Sequence, residues 1–540
     1  MFNVYSENQG NKKTKDNKIL KLIKNPFFSL FVIGLIGLTI RFYYFPFDLP
    51  IIHDSIDYFS YAMVVSQQGQ LPNGWGLTNN GWPVFLSLFF SIFNSENFIE
   101  FTYLQRFLTI IISVLTIIPV YLLCNRFVDK KFAIIGSAFF AFDPRIIINS
   151  LLGISEPTYI LLGTFSLFLF LSKRYTIILI SFFTLGLFSI IRYEGFLILI
   201  PFLIIFLFRF RRDKKVIQKI LLLIGIFFLT IFPMAYATYE ATGNDGIISP
   251  IFGGGIHYIS NHIIEGVPDT DDPIYGENSQ QNRLLLFISL GLINTIKFLG
   301  WVLIPIFVLF VPVGLFLFLK KRDYKTYVVI IFGITFLIPA FYLYGRGIEE
   351  TRYLYIIFPI LCIMSTFTIK RICEKFQKKN LIIVLIIFGI ILSSIIFLDY
   401  KKIDVEHERE AYLIAKDIVK ISDVINHYVT GSKYIHIAEI ANNWPIIPLP
   451  KDTNYNQSFE IKKISPDGFL TLAEYIEDSK DKGLTHIITD GKQELKFLND
   501  VFYNEDKFPY LTIKYDSQEH GFQYHVKVFK INYDKFNIIE

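Results

Sequence analysis

Cysteine, methionine and tryptophan are scarce in this chain of 540 residues, which holds three Cys, four Met and four Trp. Cys124, Cys362 and Cys373 are far apart, with no C-x-x-C pair and no metal-like spacing. None of them lies beyond residue 398, so the C-terminal part folds without disulfides. Charge is also sparse, at 18% of residues, and no tandem repeat or low-complexity tract interrupts the chain. The C-terminal part has no Gly-rich phosphate loop, no cluster of metal-ligand residues and no nucleophile–base arrangement.

What the chain has in abundance is apolar surface. Hydrophobic residues make up 52% of it, with 57 Phe and 31 Tyr, and the mean hydropathy is +0.44. That is too apolar for a soluble protein of this size. The charge is divided unevenly: residues 399–540 carry 18 Lys and Arg against 24 Asp and Glu, whereas the preceding 398 carry 34 against 23. The break defines two expected domains, a basic apolar membrane domain at 1–398 and an acidic domain of mixed composition at 399–540. The overall charge of +5 does not point to nucleic acid, because the basic residues sit in short loops between apolar runs.

A span needs about 20 mainly apolar residues. Eleven runs qualify, at 27–45, 104–124, 132–148, 156–172, 175–191, 195–208, 216–239, 299–319, 326–344, 353–369 and 380–398. The first lacks a small-residue cleavage site and reads as an uncleaved span. The shorter run at 82–93 reads as a juxtamembrane helix, and 284–298 as a stretch along the interface. With the N-terminus inside, the inner segments 12–24, 125–131, 173–174, 209–219, 320–325 and 370–379 hold 26 of the 34 basic residues. That is the positive-inside pattern, and it places 399–540 on the extracytoplasmic side of a cell membrane. The sequon Asn456-Gln457-Ser458 agrees. In this domain the apolar spacing predicts helices at 409–428 and 469–479, and strands at 434–437, 485–489, 511–515 and 524–531.

Ionisable residues beside spans are candidates for function. On the outer face they are Asp54, Asp57, Glu156, Arg192, Glu194, Arg346, Glu349, Glu350 and Arg352. If 51–62 forms a short helix, Asp54, Asp57, Tyr58 and Tyr61 share one face. A carboxylate there is suited to general-base work on an acceptor hydroxyl, or Asp54 only caps the helix. Arg352 and Arg192 suit an anionic phosphate, or Arg352 is a snorkelling anchor. Glu156 and Glu194 either meet substrate or pair with an arginine. The His257, His262 and Glu265 spacing reads as loop polarity rather than a metal site.

Several motifs carry a family resemblance. Asp54-Ser55-x-x-Tyr58-x-x-x-Ala62 comes first, then Asn79-Asn80-Gly81-Trp82-Pro83 before an apolar run, and Arg106 heading a span. Asp143-Pro144 with Ser155-Glu156-Pro157, Ile191-Arg192-Tyr193-Glu194-Gly195 and Thr351-Arg352-Tyr353-Leu354 follow. In this order, over roughly 27–370, they resemble the GT-C superfamily of polyprenyl-phosphate-sugar glycosyltransferases, especially protein O-mannosyltransferases and aminoarabinose transferases. A proline pair usual in the family is replaced by Asn80-Gly81, and the Trp-Trp-Asp motif of oligosaccharyltransferase catalytic subunits is absent.

The resemblance implies a mainly α polytopic membrane domain of GT-C type and a C-terminal α/β extracytoplasmic domain. It also implies an inverting glycosyltransferase that moves a hexosyl or pentosyl group from a polyprenyl (dolichyl-type) phosphate to an acceptor hydroxyl. Asp54 would be the base, with Asp57, Tyr58, Glu156, Arg192, Glu194, Arg352 and Tyr353 binding substrate. The partners would be the lipid-linked donor, membrane lipid and a protein, lipid or glycan acceptor, with no cofactor. A divalent metal at His53 and Asp54 is not expected. The rival reading is a transporter or flippase, for which charged or broken helices near the midplane and paired halves would be the sign.

Overall fold

A computed structural model describes residues 25–268, 274–275, 282–421, 427–429, 433–449, 453, 458–492 and 495–539. The basic segment 12–24 and the Asn456-Gln457 part of the sequon lie outside them. The chain divides into two compact units, one of residues 1–45, 76–82 and 106–401, the other of 46–75, 83–105 and 402–540.

The first unit is helical. Among the described residues, eight helices in the chain are long and apolar enough to cross a membrane, and nine if one bent pair counts as a single span. That pair is Lys130–Phe142 and Pro144–Ser150, which meet at 53°. Its break has a sequence cause. Asp143 is extended and caps the second helix, accepting bonds from the Arg145 and Ile146 amides at 2.9 and 3.2 Å, and Pro144 cannot donate back into the first. Helices Glu156–Phe170 and Tyr175–Ile191 fall where two spans are expected but are shorter, and Ser166 and Ser181 hydrogen-bond each other's carbonyls between them.

The run expected to span at 299–319 is built differently. A helix covers Arg283–Leu303, which includes the stretch assigned to the interface, and only a nine-residue helix, Val311–Leu319, follows. Pro305 accounts for the break, since the residue before a proline is driven out of the helical region, and Ile304 sits at φ −85°, ψ 138°.

The core of this unit is aromatic, with Phe139, Phe170, Phe202 and Phe332 buried. Arg41, at the end of the first helix, is fully buried yet satisfied: it donates to the Gly37 and Ala141 carbonyls and to Ser113 and Ser150 hydroxyls at 3.0–3.1 Å. It joins four helices through bonds worth more in a low-dielectric interior than in water.

The second unit contains the expected C-terminal sheet. Its strands are β1 (His427–Val429), β2 (Lys462–Lys463), β3 (His486–Thr489), β4 (Leu511–Asp516) and β5 (Lys527–Ile531), ordered β2-β1-β3-β5-β4. β1 runs parallel to β2 and β3, whereas β5 runs antiparallel to β3 and β4. The helix expected at 409–428 runs Val405–Val419, with residues 422–426 outside the described set, and the one at 469–479 runs Leu472–Lys480. The strand expected at 434–437 is instead the start of helix Ile435–Asn443. Four residues are too few to separate period 2 from period 3.6, and the wider pattern Ile435, Ile437, Ala438, Ile440 is that of a buried helix face.

Candidate functional site

In the first unit, three chain reversals bring charge together. Glu156 opens the helix Glu156–Phe170, where the positive helix end favours a carboxylate. Arg192 ends helix Tyr175–Ile191 in extended conformation, and Glu194 follows in the 3-10 turn Tyr193–Ile198. Arg352 and Tyr353 lie on the 3-10 turn Thr351–Ile357. Arg192 Nη1 donates to Glu156 Oε1 at 2.9 Å and Nη2 to Glu194 Oε1 at 2.8 Å, and these side chains are at most 10% exposed. Arg352 pairs with Glu350 and lies 3.9 Å from Glu156 Oε1, its side chain 22% exposed. The Tyr353 ring lies 5.9 Å from the Arg192 guanidinium and 5.7 Å from that of Arg352. Glu156, Arg192, Glu194, Arg352 and Tyr353 all line one pocket of about 20 Å³, room for a water-sized group.

The two arginines are therefore not equivalent. Arg192 is locked by two carboxylates, the pairing alternative for Glu156 and Glu194, while Arg352 is the more open of the pair. Arg346, a further arginine of this region, sits over the Tyr258 ring at 4.0 Å.

The Asn79–Trp82 element is structural in its contacts. Asn79, at φ 60°, accepts from the Tyr193 amide at 3.2 Å, and Asn80 is buried and donates to Thr238 Oγ1 at 3.0 Å. A Cβ on Gly81 would fall 2.3 Å from the Ile190 carbonyl oxygen, so only glycine permits this approach. Asn80 thus ties the loop to helix Val216–Thr242, and Gly81 fits it against the end of helix Tyr175–Ile191.

In the second unit, Asp54 and Asp57 occupy the first turn of helix Asp54–Gln68. His53, not Asp54, is the N-cap; it makes no side-chain capping bond and holds φ 54°, ψ −141°. Such a backbone costs on the order of 1–3 kcal/mol, and strain of this kind gathers at functional sites. On this helix Asp54 is half-buried and Asp57 exposed, whereas Tyr58 and Tyr61 are buried. Desolvation by the surrounding protein, then the charge of Asp54, push the Asp57 carboxyl up to about 6, against an opposing pull from His436. The side chain still opens to water, which screens part of this interaction.

His436 Nδ1, on helix Ile435–Asn443, lies 3.8 Å from the Glu439 carboxylate. Elsewhere, His257 meets Asn261 at 2.9 Å and His262 meets the Val267 carbonyl at 2.9 Å, on π-helical turns rather than an irregular loop. Among the described residues no three His, Cys, Asp or Glu side chains come together as a metal-holding group.

The mostly helical fold with its small C-terminal sheet matches the GT-C membrane fold of solved transferases. The oligosaccharyltransferase AglB of Archaeoglobus fulgidus, solved with an inhibitory peptide and a dolichol-phosphate, aligns at TM-score 0.56 and 14% identity, over 87% of this chain and 70% of that one. ArnT from Cupriavidus metallidurans, solved bound to undecaprenyl phosphate, aligns at TM-score 0.53 and 10% identity, over 93% and 97%. Both neighbours are polyprenyl-phosphate sugar or glycan transferases of the GT-C type. No family model matches the sequence and no curated relative matches it, so the likeness is one of fold.

Proposed function

We propose that the chain is a membrane glycosyltransferase using a sugar on a polyprenyl phosphate. The observation that carries this reading is the near end-to-end likeness to ArnT, solved with undecaprenyl phosphate, together with the likeness to AglB, solved with a dolichol-phosphate. Arg352, the more open guanidinium beside the buried Glu156–Arg192–Glu194 group, supports it, since a positioned cation suits a phosphate that gains charge as it leaves.

In this proposal Asp54 is the general base. It takes the acceptor hydroxyl proton as the oxygen attacks the anomeric carbon from the face opposite the phosphate. The bond from that carbon to the phosphate oxygen breaks, and the configuration inverts. The transition state resembles the oxocarbenium-like one of glycosidases. Arg352 receives the departing phosphate by paired charge-assisted bonds, which a planar guanidinium forms and an ammonium does not. Arg192 orients Glu156 and Glu194, and Tyr353 spaces the two guanidinium groups. Asp57 and Tyr58 serve the sugar or the acceptor. The hexosyl or pentosyl donor, the inside N-terminus and the extracytoplasmic 399–540 domain belong to the same proposal.

The test is incubation of the purified protein with a panel of radiolabelled polyprenyl-phosphate sugars and hydroxyl acceptors. Label is expected to leave the lipid for at least one donor. Movement of an intact donor across a liposome membrane, with no label released from any member, would favour a transporter instead.

A further inference from the structure

We propose that the C-terminal domain carries a sugar-binding site, a cavity at the carboxyl end of β3 that holds the hydroxyl groups of a glycan. Resting on the transferase reading, that glycan is an acceptor, although the binding itself needs no transfer.

The cavity has a volume of about 460 Å³, and the residues that line it belong to the second unit. That is within the range of small-molecule sites, about 300–1,000 Å³. Asp490, in its wall, directly follows β3, and His525 comes two residues before β5, which pairs with β3. β1 and β3 run parallel, and in open α/β sheets ligands gather outside the carboxyl ends of such strands. Gly491, at φ 68°, turns the chain there, and a Cβ on it would fall 2.6 Å from the Phe502 ring of the lining.

The polar groups of this cavity are positioned in advance. Glu410 Oε2 accepts the amides of Gln523 and Tyr524 at 3.0 and 2.7 Å, and the Tyr524 hydroxyl donates to Asp490 Oδ2 at 2.7 Å. Tyr524 is thus held at both ends, and the His407 ring packs on it with centroids 4.3 Å apart. His525 Nε2 meets the two oxygens of Asp516 at 3.0 and 3.1 Å, and its ring lies 4.7 Å from Phe502. Groups already held in place lose little freedom when a ligand arrives.

The lining is rich in acceptors. Asp404, Glu406, Glu410 and Asp490 contribute to it beside Lys492, a balance that opposes a phosphate or carboxylate ligand. Nor are these carboxylates bare charges. Asp404 accepts the His407 amide at 3.2 Å as the cap of helix Val405–Val419, and Asp490 Oδ1 accepts the Lys492 amide at 3.0 Å. Such bonds spread the negative charge and leave lone pairs for further donors, since an ionised carboxylate has about four acceptor sites. Sugar hydroxyls are donors of this kind, whereas a strongly basic peptide calls for carboxylates with no other partner. Tyr503, 67% exposed, adds an open aromatic face on which the apolar C–H side of a sugar ring can lie. Its hydroxyl donates to the Gly491 carbonyl at 3.3 Å, and Phe502 meets its ring edge-on at 4.9 Å.

The experiment titrates full-length protein, in lipid nanodiscs free of sugar-headed detergent, with mannotetraose, cellotetraose and chitotetraose, reading contact by saturation-transfer NMR. At least one tetramer is expected to bind, and tetragalacturonate, whose carboxylates the lining opposes, is expected not to. Glu410→Gln keeps an oxygen for the two amides and turns the second oxygen into a donor. It should weaken sugar binding about 10-fold, the loss of one hydrogen bond to a charged group, with the thermal midpoint retained. Tyr503→Ala should weaken it as well, and tetralysine should not displace the sugar. Silence from all three tetramers, an affinity unchanged in either variant, binding of tetragalacturonate, or displacement by tetralysine overturns the inference. Sugar binding that responds to both variants, with no turnover of any lipid-linked donor, leaves the site standing and defeats the transferase reading instead.

Discussion

Arg192→Met tests the charge group of the membrane unit. The substitution keeps an unbranched, flexible stem and removes the guanidinium group and its charge. Two bonds are lost, at 2.9 and 2.8 Å, to carboxylates whose side chains are 6% and 9% exposed. Glu156 keeps Arg352 at 3.9 Å, but Glu194 loses the cation that neutralises it. Breaking one buried pair by removing a partner costs about 3–5 kcal/mol, because an uncompensated charge remains. For a chain of this size that lowers the thermal midpoint by on the order of 5 °C. Glu194→Gln in the Arg192→Met background should recover part of the loss, with a coupling of about 1–3 kcal/mol. The assay is thermal unfolding in detergent of wild type, both single variants and the double. A midpoint for Arg192→Met within about 1 °C of wild type, or strict additivity in the cycle, would refute the claim that Arg192 is locked by both carboxylates.

The remaining predictions concern phosphate, pH and topology. Arg352→Lys should slow donor turnover and Arg352→Ala should slow it further, with little change in thermal midpoint because Arg352 is partly open; equal rates in all three proteins would make it only an anchor. Asp57 has a folded-state pKa of about 6 against an ordinary 3.8, so its proton stabilises the fold fully below about pH 4, and that contribution is lost as pH rises through about 6. Asp57→Asn, which mimics the neutral form, should therefore raise the thermal midpoint at pH 7.5 and not at pH 4; the same change at both would contradict the raised pKa. For topology, the exposed Glu519→Cys should react with an impermeant thiol reagent in intact cells and Lys214→Cys should not, the reverse pattern ruling out the proposed orientation.

Features set by long periodic patterns were readable before the structure. The apolar runs at 216–239, 326–344 and 380–398 appear as helices Val216–Thr242, Tyr324–Gly345 and Lys379–Tyr400, because a run longer than 18 apolar residues has few alternative structures. Strands β4 and β5 were legible from alternation, and β3 from a short apolar run flanked by turn residues. The helix at Ile435 was not, nor was the break at Pro305, where one proline redistributes a whole apolar run. Among the site residues, sequence order alone singled out Glu156, Arg192, Glu194 and Arg352, which the fold brings into one group. It did not indicate that Arg192 is saturated while Arg352 is more open, since that depends on which carboxylate each helix end delivers. Asp54 was read as a possible cap, but the structure puts His53 at that position, and the strained His53 backbone sets the start of the helix.

The most direct test of the account is the rate at which purified Asp54→Asn releases sugar from a donor that wild type uses, measured alongside the polyprenyl phosphate formed. Asparagine preserves the shape of the side chain and cannot accept the hydroxyl proton. The account predicts one polyprenyl phosphate per sugar transferred in wild type. In Asp54→Asn it predicts a rate lower by about 10²–10⁴-fold, with donor binding and thermal midpoint retained. Near-normal turnover in Asp54→Asn would contradict it and move the search for the base to Asp57 or Glu156.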